Sequence, residues 1–224
     1  MKAMILAAGR GERMRPLTDS IPKPLLEVRG KPLIVWQIES LVRSGIREIV
    51  INLAHLGDQI EKKLGDGRCC GVSILYSCEE KALETAGGIA NAIHLLGKSP
   101  FLAVNSDIYC DFDYSRLNRS PLESMLAHLV LVDNPGHHPE GDFSLCKGKV
   151  LPAWGKTLTF SGIGVYRPEL FTGIHPGQAA KLGDLLKDAI QGGKVTGIRH
   201  GGIWVDVGTP ERLFQLNSGD KIGS

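Results

Sequence analysis

The sequence is short of the signals that usually place a chain at a glance. Its net charge is only +2 over 224 residues. So even a balance argues against a nucleic-acid-binding stripe and gives no reason to expect an acidic partner. Any positive charge that matters must be local. Five cysteines are present, an odd count, and no C-x-x-C pair occurs among them. That pattern indicates neither a disulfide framework nor a zinc site and leaves reduced thiols. No apolar run approaches the ~20 residues of a membrane span. Arg10, Glu12 and Arg13 interrupt the first apolar stretch too early for a secretory leader. Repeats, linkers and low-complexity tracts are missing as well. These absences predict a soluble, cytoplasmic protein with neither a membrane nor a nucleic-acid partner.

What is present suits a full core: 42% of residues are hydrophobic and 22% charged, an ordinary globular mixture. Strand-like runs ("KAMILAA", "REIVINLA", "GVSILYS", "PFLAVNSD") alternate with helical patterns ("KPLIVWQIESLVRSGI", "HLGDQIEKKLG", "GGIANAIHLLG"). This order predicts a single α/β, Rossmann-like domain with a mostly parallel central sheet and helices on both faces. From about residue 125 the chain turns β-rich, with Gly and Pro breaks and a hairpin expected around Lys147-Gly148-Lys149. It reads as an insertion able to wall a second pocket. Helix and strand return with "LGDLLKDAIQGG" and "VTGIRH". A last helix is expected after "WVDVG", with Thr209 as N-cap, Pro210 first and Glu211 in the first turn.

The local charge lies in the opening stretch, "MKAMILAAGRGERMRPLTDSIPKPLLEV", where a strand breaks into two glycines, three arginines and a lysine between prolines. A bound polyphosphate is the simplest reason for it. The spacing is not that of a P-loop, which needs Gly, four residues, then Gly-Lys-Ser/Thr. Gly9-Arg10-Gly11 opens a dinucleotide fingerprint, but Met14 stands where the third glycine belongs. Pro16, Pro22 and Pro24 also forbid the long helix that should follow. What is left is an irregular loop whose backbone N–H groups and arginines wrap a triphosphate, with Lys23 returning from the far end.

That stretch, "GRGERMRPLT…PKPL", resembles the signature of the sugar-1-phosphate nucleotidyltransferases. Further pieces fall in that family's order along nearly the whole chain: Gly87-Gly88, Asn105 with Asp107, Gly141-Asp142-Phe143, and "WVDVGT" from Trp204 to Thr209. "HLVLVDNPGHHPEGDF" and "TLTFSGI" are similar to the branch that uses UTP and N-acetylmuramate-1-phosphate in bacterial peptidoglycan recycling. The chain also stops soon after "WVDVGTPERL", so no hexapeptide-repeat tail is expected. The resemblance implies in-line attack of a sugar-1-phosphate on the α-phosphorus of UTP. Charge neutralisation and alignment would then do most of the catalysis.

Roles follow position by position from that resemblance. Ala8, Gly9, Gly11, Glu12, Arg13, Lys23 and Gly88 would bind the nucleotide, with Arg13 and Lys23 as the catalytic cations. Asn105 and Asp142 would bind the sugar, although both are also common turn residues. Asp107 and Asp206 would hold Mg2+, because strand ends of a parallel sheet share one edge. Gly87 and Gly88 would offer a helix N-terminus, with Glu84 and Thr85 assisting. Residues 1–124 would form the nucleotide half and 125–224 the sugar half. Asp113 reads as a cap for the turn beginning at Tyr114. His137 and His138 read as an exposed turn and are left out of the site.

Two positions depart from the pattern: Ser106 and Ala86 stand where glycine is usual, each adding a Cβ near the pocket. The Glu-Lys-Pro segment of the glucose-1-phosphate thymidylyltransferases is missing from "SLCKGKVLPAW", which favours the muramate branch. Two rivals stay open: a glucose- or mannose-1-phosphate nucleotidyltransferase, and a catalytically silent nucleotide-sugar-binding regulatory protein. Asp111-Phe112-Asp113 formally meets the Asp-x-Asp pattern of a glycosyltransferase, but lies beyond the strand end that supplies Asp107.

Overall fold

The computed structural model describes residues 1–117, 122 and 124–219. In chain order the strands are β1 (Ala3–Leu6), β2 (Glu27–Val28), β3 (Lys31–Pro32), β4 (Glu48–Leu53), β5 (Ser73–Cys78), β6 (Phe101–Asn105), β7 (Ile108–Cys110), β8 (Ala127–Val132), β9 (Phe143–Cys146), β10 (Lys149–Pro152), β11 (Thr159–Tyr166), β12 (Val195–His200) and β13 (Trp204–Asp206). The helices are α1 (Leu33–Arg43), α2 (Gly57–Leu64), α3 (Glu84–Leu96), α4 (Leu182–Gln191) and α5 (Pro210–Ser218). Among the described residues no helix is long and apolar enough to cross a membrane.

A nine-stranded sheet in the order β5-β4-β1-β6-β11-β8-β12-β10-β9 organises the molecule. Strands β1, β4, β5, β6, β8, β9 and β12 run one way and only β10 and β11 oppose them, so the sheet is mostly parallel as expected. Within the β-rich stretch, β11 lies between β6 and β8 and extends the same sheet, and the β9–β10 hairpin forms its far edge. That hairpin turns on Lys147 (φ 48°) and Gly148 (φ 77°), the pair of positive φ values a tight two-residue turn requires.

Alternation in the strands feeds two cores. In β1, Ala3 and Ile5 pack against α1 residues Ile34, Ile38 and Leu41 and α2 residues Ile60 and Leu64. Met4, on the opposite face, joins Ala86, Ile89 and Ala92 of α3 and Leu186 and Ile190 of α4. Helices therefore cover both faces, as period-2 strands between 3.6-period helices dictate. The buried positions of α1, including Leu33, Gln37 and Leu41, recur at helical spacing, and the helix ends at Ser44 before Gly45 turns left-handed (φ 83°). At the other end of the chain Thr209 Oγ1 caps α5 by accepting from Arg212 N, with Pro210 first, as expected. Asp113 caps its turn by accepting the N–H of Ser115 at 2.9 Å.

Register decides where a site can form. Leu6 at the end of β1 lies opposite Asn52 of β4 and Asn105 of β6, so three C-terminal strand ends share one edge. Just beyond it, β7 pairs antiparallel with β13 in a short ribbon. Gln37, fully buried in α1, holds that ribbon: its Nε2 donates to Ile108 O at 2.6 Å and its Oε1 accepts from Tyr114 Oη at 2.5 Å. Replacing Gln37 by Leu leaves two buried polar groups unpaired. Urea unfolding of Gln37→Leu should show a loss of about 1–3 kcal/mol; an unchanged midpoint would mean that the ribbon does not depend on this link.

Candidate active site

A cleft of about 650 Å³ opens at the shared strand edge. The loop after β1 forms one side through Ala8, Gly9, Gly11, Glu12, Arg13 and Lys23, and Asn105, Ser106, Asp107 and Gly208 form another. Glycine is needed at position 11, which sits at φ 66°; a Cβ there would meet Thr18 Cγ2 at 2.9 Å. Its carbonyl accepts from Met14 N and Thr18 Oγ1, each at 2.8 Å. Beyond it the prolines allow only single 3₁₀ turns, Glu12–Met14, Leu17–Asp19 and Lys23–Leu25, so the long helix of a dinucleotide fold is absent. Arg15 turns away to pair with Asp19 at 3.2 Å.

Lys23 is only 9% exposed, and lysine is rarely so buried without a partner. Its Nζ lies 2.5 Å from Asp107 Oδ2, tying the end of the loop to the segment after β6. Asp206 arrives on the neighbouring strand of the ribbon, opposite Ile108, and Val207 N donates to Asp107 O at 2.8 Å. Asp107, in the turn before β7, and Asp206, at the end of β13, thus meet at one end of the antiparallel ribbon; Asp206 does not come from a strand end of the parallel sheet as expected. Asp206 Oδ2 accepts from Arg212 Nη1, whose side chain sits in the first turn of α5. Position 208 leaves room for this: a Cβ there would lie 2.9 Å from Arg212 Nη1, 3.1 Å from Asp206 Oδ2 and 3.6 Å from Arg13 Nη2. Arg212 escaped the sequence reading. Its signal was present, three residues after the Thr209 cap in "GTPER", but a first-turn arginine ordinarily faces water.

Asp206 Oδ1 is buried and lacks a hydrogen-bond partner among the described residues. His137 Nε2 approaches it to 3.1 Å without hydrogen-bonding geometry. A buried carboxylate oxygen without a donor is the acceptor that a cation completes. Together with the oxygen-only chemistry of Asp107 and Asp206, this fits a hard divalent ion such as Mg2+.

Other expectations are redrawn. Gly88 does not line the cleft. A Cβ at this position would meet Glu79 Oε1 at 2.6 Å and Asn52 Nδ2 at 2.9 Å, because a buried polar chain passes beneath it. Ala7 N donates to Asn52 Oδ1 at 2.8 Å, Asn52 Nδ2 to Glu79 Oε1 at 2.6 Å, and Leu83 N to Glu79 Oε2 at 3.2 Å. Burial pushes the Glu79 carboxyl above its usual range, against these hydrogen bonds. Asn52 and Glu79 line the cleft and belong to no motif, so sequence reasoning missed them.

At the helix start, Ala86 N and Gly87 N donate to Ala180 O at 3.0 and 3.1 Å, while Glu84 and Thr85 line the cleft. Ala86 faces the core rather than the pocket, whereas Ser106 does line it. Glu84 lines the mouth with φ 59°, a left-handed conformation unusual for glutamate. Asp142 is not among the lining residues, and its oxygens are engaged by Phe160 N at 2.7 Å and His138 Nε2 at 3.1 Å. Both histidines of the expected exposed turn are therefore aimed at carboxylates. The His138–Asp142 pair is local, four residues apart, whereas the approach of His137 to Asp206 joins distant parts of the chain and is not revealed by a linear sequence. Gly88→Ala should cost about 1–3 kcal/mol by overpacking the Asn52–Glu79 link; a denaturation midpoint equal to the parent's would show that the link has room to shift.

With this geometry in hand, comparison with known proteins is direct. Residues 2–147 match the nucleotidyl transferase family. The chain is 56% identical over 225 residues to the N-acetylmuramate alpha-1-phosphate uridylyltransferase of Neisseria meningitidis serogroup B, covering 97% of each chain. It is 29% identical over 223 residues to mannose-1-phosphate guanyltransferase beta-B of Xenopus laevis, covering 94% of this chain and 62% of the frog protein. Its fold superposes with a TM-score of 0.87 on a Bacillus anthracis chain assigned as a glucose-1-phosphate thymidylyltransferase, at 23% identity, covering 100% of this chain and 96% of that one. The chain belongs to the nucleotidyl transferase family, among its sugar-1-phosphate members.

Proposed function

We propose that the protein transfers a uridylyl group from UTP to N-acetylmuramate-1-phosphate, giving UDP-N-acetylmuramate and pyrophosphate, as a step of peptidoglycan recycling. The observation that carries this reading is the 56% identity over 97% of the chain to the Neisseria enzyme of that name. The cleft suits the reaction class. Two polyanions must meet, and the loop supplies backbone N–H groups, Arg13 and Lys23 on the side facing Asn105–Asp107.

In the reaction an oxygen of the sugar phosphate bonds to the α-phosphorus, and the α–β bridging P–O bond breaks. No proton need move at the reacting oxygens, so the work of the chain is alignment and charge. Arg13 neutralises the triphosphate as it is held in the loop. Lys23, released in part from Asp107 by the arriving phosphates, stabilises the charge that grows at the α-phosphate. Asn105, pressed against the β11 bulge where Gly162 leaves it space, offers hydrogen bonds to the sugar. Asp142 serves the sugar end indirectly, by fastening the His138 turn to β11. Asp107 and Asp206 would hold Mg2+, which supplies Lewis-acid charge to phosphate oxygens when bound.

Pyrophosphate release should be strong with Mg2+, UTP and N-acetylmuramate-1-phosphate, and weak when glucose-, mannose- or glucosamine-1-phosphate or another nucleotide is substituted. Faster release with another pair would replace the substrate assignment and keep the chemistry. Lys23→Ala should lower turnover on the order of 10²–10³-fold with circular dichroism unchanged. Near-parental turnover in that variant would remove Lys23 from the reaction. For Asp206→Asn, the Mg2+ concentration giving half-maximal rate should rise by about tenfold or more, and an unshifted Mg2+ dependence would exclude Asp206 as a ligand.

A further inference from the structure

A second cluster of metal-ligating side chains lies outside the cleft and plays no part in the reaction above. Cys110 ends β7, Asp111 follows it, and His200 ends β12. One ligand atom from each falls within 4.8 Å of the others. His200 Nε2 and Asp111 Oδ1 are 2.8 Å apart. The cluster is built from separated parts of the chain, 89 residues apart between Asp111 and His200, which is why cysteine spacing gave no sign of it.

Several features hold these groups ready. The His200 side chain is 9% exposed, and its ring meets that of Phe112 edge-on at 5.3 Å. Phe112 N donates to Cys110 Sγ at 3.4 Å, the kind of N–H···S contact that steadies a thiolate on a metal. Gly202 lets the chain close over the pair, since a Cβ there would stand 2.5 Å from Asp111 Oδ1 and 2.6 Å from His200 Cε1. Asp111, by contrast, is 53% exposed, which leaves an entry path and room for water.

We propose that Cys110, Asp111 and His200 bind one Zn2+ ion, with water as the fourth ligand. A thiolate, an imidazole and one carboxylate form a tetrahedral zinc set, whereas Mg2+ prefers oxygen alone. Ligand nitrogen and oxygen on zinc sit about 3.3 Å apart, so the present pair needs to open by only about half an ångström. On binding, the Cys110 thiol gives its proton to solvent and the sulfur bonds to the metal. The ion ties the end of β12 to the end of β7. Asp111 N already donates to Ile203 O at 3.1 Å beside it. The tie therefore fastens the far end of the β7–β13 ribbon, whose other end carries Asp107 and Asp206, and a ligand of the folded state stabilises that state by mass action.

The test uses the full chain stripped of metal and titrated with Co2+, a spectroscopic stand-in for Zn2+. One equivalent should produce a thiolate-to-cobalt absorption band that Zn2+ abolishes by displacement. The band should vanish in Cys110→Ser and persist in a Cys69→Ser/Cys70→Ser double variant, which removes the adjacent thiols whose sulfurs lie 3.6 Å apart. Asp111→Asn changes an exposed side chain, so it serves if Cys110→Ser or His200→Ala fails to fold. Its Zn2+ affinity should fall about 10–100-fold, and the rise in melting temperature that Zn2+ gives the parent should shrink accordingly. No thiolate band in the parent, a band that survives in Cys110→Ser, or one lost only in the double variant would overturn the proposal. So would an unchanged Zn2+ affinity in Asp111→Asn.

Discussion

The site depends on a small apolar core more than on any of its charges. Met14 and Val207, both fully buried, pack together with Leu26, Val28, Leu33 and Leu216. Met14 follows Arg13 directly, and Val207 follows Asp206. Burying these two apolar neighbours in one place brings Arg13 of the first loop and Asp206 of the last strand to Gly208 at the edge of the cleft. The cluster also takes in residues of the β2–β3 hairpin, α1 and α5, so it clamps a proline-rich loop that has no regular hydrogen-bond ladder of its own. Burial of this kind is non-directional. The ribbon between β7 and β13, with its fixed register, supplies the direction.

Two ion pairs stand at and beside the cleft before any phosphate arrives. Lys23 holds Asp107, and Arg212 holds Asp206. Such pairing keeps cations at positions where the fold would otherwise pay to desolvate them alone. It also means that, in the proposed reaction, phosphates take over partners already in place. Oδ1 of Asp206 makes no hydrogen bond among the described residues, with the His137 ring beside it at 3.1 Å. Across the cleft, the uncharged links of Asn52 set the position of Glu79 and the start of α3.

Much of the fold was legible because its signals are local. Period-2 strands, a 3.6-period α1, the Thr209 cap and the Lys147-Gly148 turn each express the conformational preference of a few neighbouring residues. The opening loop was legible for the same reason: prolines forbid a helix wherever they occur, and glycine at φ 66° marks a turn that other residues resist. The reading went astray where a residue's role lies with a distant partner. Gly87 and Gly88 look like a helix start, yet the helix begins at Glu84, Ala180 O takes the N–H groups of Ala86 and Gly87, and the Asn52–Glu79 link fills the space a Cβ at Gly88 would need. The Gly-His-His-Pro turn is exposed as read, but the sequence does not express that the His137 ring comes to 3.1 Å from Asp206 Oδ1. The β-rich stretch reads as an insertion able to wall a second pocket, and what periodicity cannot express is that β11 pairs with β6.

By itself the sequence determined the element types, the irregular glycine loop and the kinds of side chain available to a polyanion, since these follow from backbone sterics and composition. Only the tertiary structure decided which of those side chains meet. Long-range strand order placed Lys23 on Asp107 and brought His200 to Cys110 and Asp111. Those contacts are set by the burial of apolar faces far from the groups themselves, and no stretch of neighbouring residues encodes them.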